Sequence, residues 1–364
     1  MIAVIDYGSQ YTQLIARRIR EENVYSEIFP HTILAKDLEE KNLSGIILSG
    51  GPSSVYSENA PQIDKNILKM NIPILGICYG MQLLIKNNNG KVLHKGQGEY
   101  GFSEINKVED SILFKNITSS SQVWMSHGDE VDELGNGYRV TARSLNGVVA
   151  AIEHKNELRY GVQFHPEVIH TIKGQEIISN FLFEISSCIP NWTAANFISE
   201  SISKIQNIAG ETGTVITGIS GGVDSSVVGT LLHKAIGDRS SCVFIDHGLL
   251  RKNEASQVMG TLKEGLGLNI KKYNYTDIFL ENLKGVIDPE KKRKIIGEQF
   301  IRAFEKVSKQ NKNASFLAQG TLYPDVIESG GSALGPAVTI KSHHNVGGLP
   351  DDMDFILIEP IRDL

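Results

Sequence analysis

Cysteine is scarce in this chain. Cys78, Cys188 and Cys242, three residues in 364, are too few and too scattered for a disulfide framework or a zinc site, so the sequence predicts a reducing, cytoplasmic setting. Long apolar runs are missing as well. Stretches such as Ile72–Cys78 fall far short of the roughly 18 residues a membrane-spanning helix needs, and no membrane partner is expected. The opening MIAVIDYGSQ enters a strand pattern without the basic and apolar regions of a secretion signal. Nor is positive charge in excess. Lys and Arg number 36 against 42 Asp and Glu, and the formal net charge of −6 excludes a polybasic nucleic-acid binder. What is present, 41% hydrophobic and 21% charged residues, suits a soluble globular protein. At about 100–200 residues per domain the length suggests two domains.

Short runs of Ile, Val and Leu alternate with amphipathic stretches along the first half. Ile2–Ile5, Gly45–Leu48 and Ile72–Ile77 read as buried strands, with helices near Gln10–Glu22 and Pro61–Met70, the pattern of a parallel sheet. From Gly101 to Val162 the segments VWM, YRVTARS, VVAAIEH and RYGVQF read as strands joined by turns, and Thr171–Ser186 returns to helical spacing. Ile189–Trp192 contains a helix-stopping proline and divides the chain into domains 1–189 and 190–364. Beyond it, strands at Val215–Ile219, Cys242–Ile245, Ile270–Tyr275, Phe316–Ala318 and Ile356–Ile358 alternate with helices at Ala194–Ile208, Asp224–Ala235, Ala255–Leu266 and Pro289–Gln310. The predicted fold class is α/β with two doubly wound domains. After Ile358 the pattern predicts a further helix from about Asp363, and ending at IEPIRDL is expected to mark a truncated domain.

Cys78 lies in ILGICYGMQLL, a buried strand followed by Gly-Ile-Cys-Tyr-Gly and a helix. This is the cysteine form of the nucleophile elbow, a sharp turn that presents the sulfur at a sheet edge and at a helix N-terminus, where negative charge is favoured. A thiol nucleophile needs a base, and QFHPE supplies His165 at the end of a predicted strand, with Glu167 two residues on to orient the ring. The Gly-Gly turn of Leu48–Pro52 could add N–H donors for an oxyanion beside that of Tyr79.

IDYGSQ, SGGPSSV, GICYGMQ and QFHPEV together resemble the class I glutamine amidotransferases, over about residues 1–187. The resemblance implies glutamine hydrolysis to glutamate and ammonia, with Cys78 as nucleophile, His165 as base and Glu167 as its orienter. It also implies an oxyanion hole from the N–H groups of Gly51 and Tyr79, with Gln82 and the loop Ser126, His127, Gly128 and Asp129 holding glutamine.

The second half carries a different chemistry. Ser220, Gly221, Gly222, Val223, Asp224, Ser225 and Ser226 follow a strand and open a helix, which makes an anion-binding loop. It is not a Walker A loop, since no G-K-[ST] follows. SGGVDSS resembles the pyrophosphate-binding loop of the N-type ATP pyrophosphatases, which cleave ATP between its α and β phosphates. Asp246 and Gly320 end further strands, where a doubly wound sheet binds ligands. Asp224 and Asp325 are candidate Mg²⁺ ligands, because Mg²⁺ prefers carboxylate together with phosphate oxygens. The basic run 290–294, with Arg293, reads either as a lid over phosphates or as a solvated helix face. Lys341 belongs to a polar, Gly-rich segment read as a substrate loop.

Taken together, DYGSQYTQLIARRIRE, SGGVDSSV, DHGLLRKNE, GTLYPDVIES and IKSHHNVGGLP are similar to the GMP synthase family over nearly the whole chain. That resemblance implies glutamine, ATP and xanthosine 5′-monophosphate (XMP) as substrates, and Arg293, Asp325 and Lys341 as candidates for the nucleotide acceptor. It further implies a homodimer formed through a C-terminal domain that this chain lacks. His247 departs from the family's DNGLLR. Two alternatives stay open on the residues alone: an adenylating ligase with another acceptor, or a chain retaining only glutaminase or binding activity.

Overall fold

The computed structural model describes residues 1–310, 314–322, 325 and 356–364. It forms two compact units, the first spanning Met1–Thr193 and the second beginning at Ala194.

The first unit is built on a nine-stranded mixed sheet. Strands β1 (Ile2–Asp6), β2 (Ser26–Pro30), β3 (Gly45–Leu48) and β4 (Ile74–Ile77) pair in parallel, in the order β2-β1-β3-β4. Their connections carry helices α1 (Thr12–Glu21) and α2 (Ala35–Glu39). β3 and β4 are buried along their full length, as expected of central strands covered on both faces. Helix α3 (Tyr79–Asn87) follows β4 directly. The chain then runs into β5 (Lys91–Lys107) and β6 (Ser120–Glu133), a long antiparallel pair, and into β7 (Tyr138–Ser144), β8 (Val149–His154) and β9 (Arg159–Val162). β9 returns to pair in parallel with β4, Ile77 standing beside Val162.

Two expectations need correction here. Pro61–Met70 is not a helix: only a 3₁₀ turn forms, at Ile67–Lys69. The Asp64 carboxylate accepts from the N–H groups of Ala35 and Asn66, and such a local acceptor competes with the helical ladder. The helix expected from Thr171 begins at α4 (Gly174–Ser179) and continues as a π-helical stretch, Asn180–Ile185. Thr171 is engaged elsewhere, its hydroxyl donating to the His165 carbonyl and accepting from the Trp124 N–H.

The second unit is a five-stranded, all-parallel sheet ordered β12-β11-β10-β13-β14, with β10 (Thr214–Ile219), β11 (Ser240–Asp246), β12 (Ile270–Asn274), β13 (Ala314–Ala318) and β14 (Ile356–Ile358). Its helices are α5 (Ala194–Ala209), α6 (Val223–Ile236), α7 (Glu254–Met259), α8 (Thr276–Leu283) and α9 (Pro289–Gln310). The chain winds outward from β10 to β12, then crosses back to β13 on the other side. Strand order therefore reverses between β10 and β13, and their carboxyl ends open the crevice where such sheets take ligands. The residues expected to continue as a helix near Asp363 form a turn.

Candidate functional site

In the first unit, β4 delivers Cys78 into a conformation that L-residues rarely adopt, φ 50°, ψ −106°. Strain of this kind, of order 1–3 kcal/mol, persists where the surroundings enforce it. The enforcement is visible. The Cys78 N–H donates to the Val162 carbonyl at 2.7 Å and the Gly80 N–H to that of Ser49 at 3.1 Å. The elbow glycines serve closeness rather than the turn angle: a Cβ on Gly80 would lie 2.4 Å from the Leu48 carbonyl oxygen, and one on Gly76 would lie 2.6 Å from Gly80. The positive φ itself falls on the cysteine.

Because β9 pairs with β4, the residues following Val162 lie beside Cys78. His165 is buried, and its Nδ1–H donates to Glu167 Oε1 at 2.7 Å. Glu167 is wholly buried and its Oε2 has no hydrogen-bond partner. Burial by itself would push the His165 pKa down. The Glu167 carboxylate and a hydrogen bond with Cys78 outweigh it and hold the imidazole well above the ordinary 6.5. A raised native pKa contributes stability that is complete below about pH 6.5 and fades as pH climbs through the native value. We expect the urea-unfolding free energy to show that alkaline decline and Glu167→Gln to flatten it. The same slope in the variant would refute the assignment.

These groups face a cavity of ≈ 580 Å³. Gly51, Gln82, Ser126, His127, Gly128 and Asp129, all expected around a bound substrate, line it together with Cys78 and His165. The N–H groups of Gly51 and Tyr79 have no protein acceptor among the described residues. A Cβ at Gly50 would stand 3.1 Å from the His165 ring and 3.7 Å from the Cys78 Cβ, so only a glycine leaves clear space beside both groups.

In the second unit, Ser220–Ser226 spans the end of β10 and the start of α6. Gly221 has φ +86°, a conformation that glycine adopts without penalty. The hydroxyls of Ser220 and Ser225 bond each other at 3.0 Å, and Ser226 Oγ donates to the Gly222 carbonyl at 2.8 Å. No side chain caps α6, so its first N–H groups stay open to an anion. Asp224 is exposed, makes no hydrogen bond through its carboxylate among the described residues and lies against Gly320, whose added Cβ would be 3.7 Å from its own. The crevice between β10 and β13 thus brings Gly320 to the loop.

Other expected positions are already engaged. Asp246 pairs with Lys272 at 3.3 Å and accepts from the Gly248 N–H. Asp325 accepts from the Leu322 N–H at 3.0 Å. Arg293 is bonded to Glu290 within α9. Lys341 lies outside the described residues. Among the described residues no cluster of three or more His, Cys, Asp or Glu is placed to hold a metal, and no helix is long and apolar enough to cross a membrane.

Comparison with known proteins gives these sites a context. Residues 3–185 match the family model of class I glutamine amidotransferases, and residues 194–313 match that of NAD synthase. Along its whole length the chain is 51% identical to the GMP synthase [glutamine-hydrolyzing] of Bacillus licheniformis, covering 70% of that protein. It is 52% identical to that of Lactobacillus acidophilus, again over 70% of the relative, and 53% identical to that of Listeria innocua, over 69%. The chain belongs to the GMP synthase family. Family membership carries both folds, the mixed sheet of an amidotransferase and the parallel sheet of an ATP pyrophosphatase-like unit.

Two residues of this GMP synthase family member escaped the sequence reading. Gln163, wholly buried, points its amide N–H at the Cys78 sulfur at 3.5 Å and accepts from Gln82 at 3.3 Å. Its place two residues before His165, inside QFHPEV, was the available signal. Glu99, also buried, contacts His127, and nothing in its local sequence indicates this.

Proposed function

We propose that the chain converts XMP to GMP by glutamine-dependent amination, with ATP cleaved to AMP and pyrophosphate. The observation that carries this reading is a strained cysteine facing a buried His–Glu pair, in one chain with an uncapped Gly-Ser anion loop. Residues 1–189 would supply ammonia and residues 190–364 would use it.

In the first step the Cys78 sulfur attacks the γ-carbonyl carbon of glutamine. His165 accepts the thiol proton and returns it to the departing amine, which leaves as ammonia. The buried Glu167 carboxylate stabilises the imidazolium in between. Gly51 and Tyr79 offer free N–H groups to the developing oxyanion. Water then releases glutamate from the thioester. Gln82 and Ser126–Asp129 would hold the substrate.

In the second step an XMP oxygen attacks the α-phosphorus of ATP. Pyrophosphate leaves from the Ser220–Ser226 loop, and ammonia displaces AMP from the adenylated carbon. Asp246 and Gly320 would flank the nucleotide, with Arg293, Asp325 and Lys341 as candidates on the acceptor side. A Mg²⁺ ion held at this loop would supply neutralisation of phosphate charge, and such an ion needs few protein carboxylates. Asp224, beside the loop and with no carboxylate partner among the described residues, would hold it, and Asp325 is the weaker candidate because its carboxylate already accepts from the Leu322 N–H. A cytoplasmic setting belongs to the same proposal, and the homodimer that the resemblance implies is one of the full-length family, formed through its C-terminal domain.

Pyrophosphate release from the purified chain with ATP, Mg²⁺ and ammonium tests the second step. Release should require XMP. Release driven by a different acceptor and not by XMP would overturn the acceptor assignment.

A further inference from the structure

Glu99 stands on β5 directly opposite His127 on β6, because the register of that pair slips between His94 and Glu99 and then resumes. The slip turns a carboxylate inward where the cavity wall is built. Glu99 is 8% exposed and His127 4%. One carboxylate oxygen, Oε1, accepts from Ser144 Oγ and from Asn146 Nδ2, both at 2.8 Å. The other, Oε2, faces His127 Nε2 at 3.4 Å, while the opposite ring nitrogen, Nδ1, donates to the Asp129 carbonyl at 3.0 Å. Both ring nitrogens therefore face acceptors, and a proton must sit between Nε2 and Oε2 for the pair to be satisfied.

The contacts do not stop at the ring. The Asp129 carbonyl also accepts from Gln82 Nε2 at 2.9 Å, Gln82 donates to Gln163 Oε1, and Gln163 donates to the Cys78 sulfur. An unbroken chain of hydrogen bonds runs from the turn after β7, through Glu99, to the nucleophile. Its middle members, His127, Asp129 and Gln82, line the cavity.

We propose that Glu99 is a positioning residue for glutamine hydrolysis, its carboxylate fixing the His127 ring and, through it, the wall on which glutamine binds. The inference rests on the glutaminase reading of the Cys78 site. Glu99 touches no reacting atom and does not line the cavity, so its loss should weaken substrate binding more than turnover.

The test is steady-state glutamate release by the full chain over a range of glutamine concentrations. Glu99→Ala should raise KM about tenfold, the cost of one buried polar group losing its partner, with kcat within about threefold. Glu99→Gln should restore KM, because its oxygen can still accept from Ser144 and Asn146 while its amide N–H donates to a neutral His127. His127→Ala should match Glu99→Ala, and the double variant should be no worse than His127→Ala alone. If Glu99→Ala does not fold, Glu99→Met fills the space without an acceptor and takes its place. Unchanged KM in the alanine or methionine variant, equal damage in Glu99→Gln, or multiplying effects in the double variant would each overturn the inference. A wild-type chain that releases no glutamate would instead overturn the glutaminase reading, and this inference with it.

Discussion

Cys78→Ala should abolish glutamine-dependent GMP formation, by at least ~10⁴-fold in rate, while leaving ammonium-dependent formation at the wild-type level. The asymmetry follows from placement. Cys78 belongs to the first unit, where its sulfur meets His165, Gln163 and the Ser126 carbonyl, and no other thiol can replace it. Cys188 and Cys242 are buried, and burial pushes both of their pKa values up, that of Cys242 to about 12. A thiol so disfavoured as thiolate makes a poor nucleophile. Alanine removes the attacking atom while the strained backbone can persist. Parallel assays with glutamine and with ammonium chloride decide the matter. Equal loss in both would mean that the two chemistries do not divide between two sites.

Asp224→Ala should reduce both routes together, by roughly 100-fold, the typical cost of removing one group that stabilises charge at a reacting phosphate. The carboxylate is exposed in the first turn of α6, with no partner among the described residues. Its removal leaves no buried group unsatisfied, and a fold defect is not expected. Its position beside Gly320 and the open helix terminus is one that a metal-bound pyrophosphate would use. Pyrophosphate release at stepped Mg²⁺ concentrations is the measurement, and a variant that recovers at high Mg²⁺ would locate the loss in metal binding. Wild-type rates with ammonium would remove Asp224 from the site.

Much of the fold could be read from one dimension. The central strand Gly45–Leu48 appears with the bounds expected of it, because a strand covered on both faces is a plain apolar run. β2 and α2, short and partly polar, carry no such signal. Half of the long β5–β6 pair escaped for another reason: KVLHKGQGEYGF mixes polar residues and glycines along a slipped ladder.

By itself the sequence determined the chemical groups: a cysteine between two glycines, QFHPE, and SGGVDSS, each a local pattern whose neighbours in the chain dictate its backbone shape. The tertiary structure decided which of them meet. Cys78 and His165 come together because β4 and β9 pair in parallel, and Gly320 reaches Asp224 because β13 crosses over to lie beside β10. Glu99 became visible only through a register slip. A strand pairing depends on hydrogen bonds and burial shared between distant segments, and no local stretch of residues records its partner.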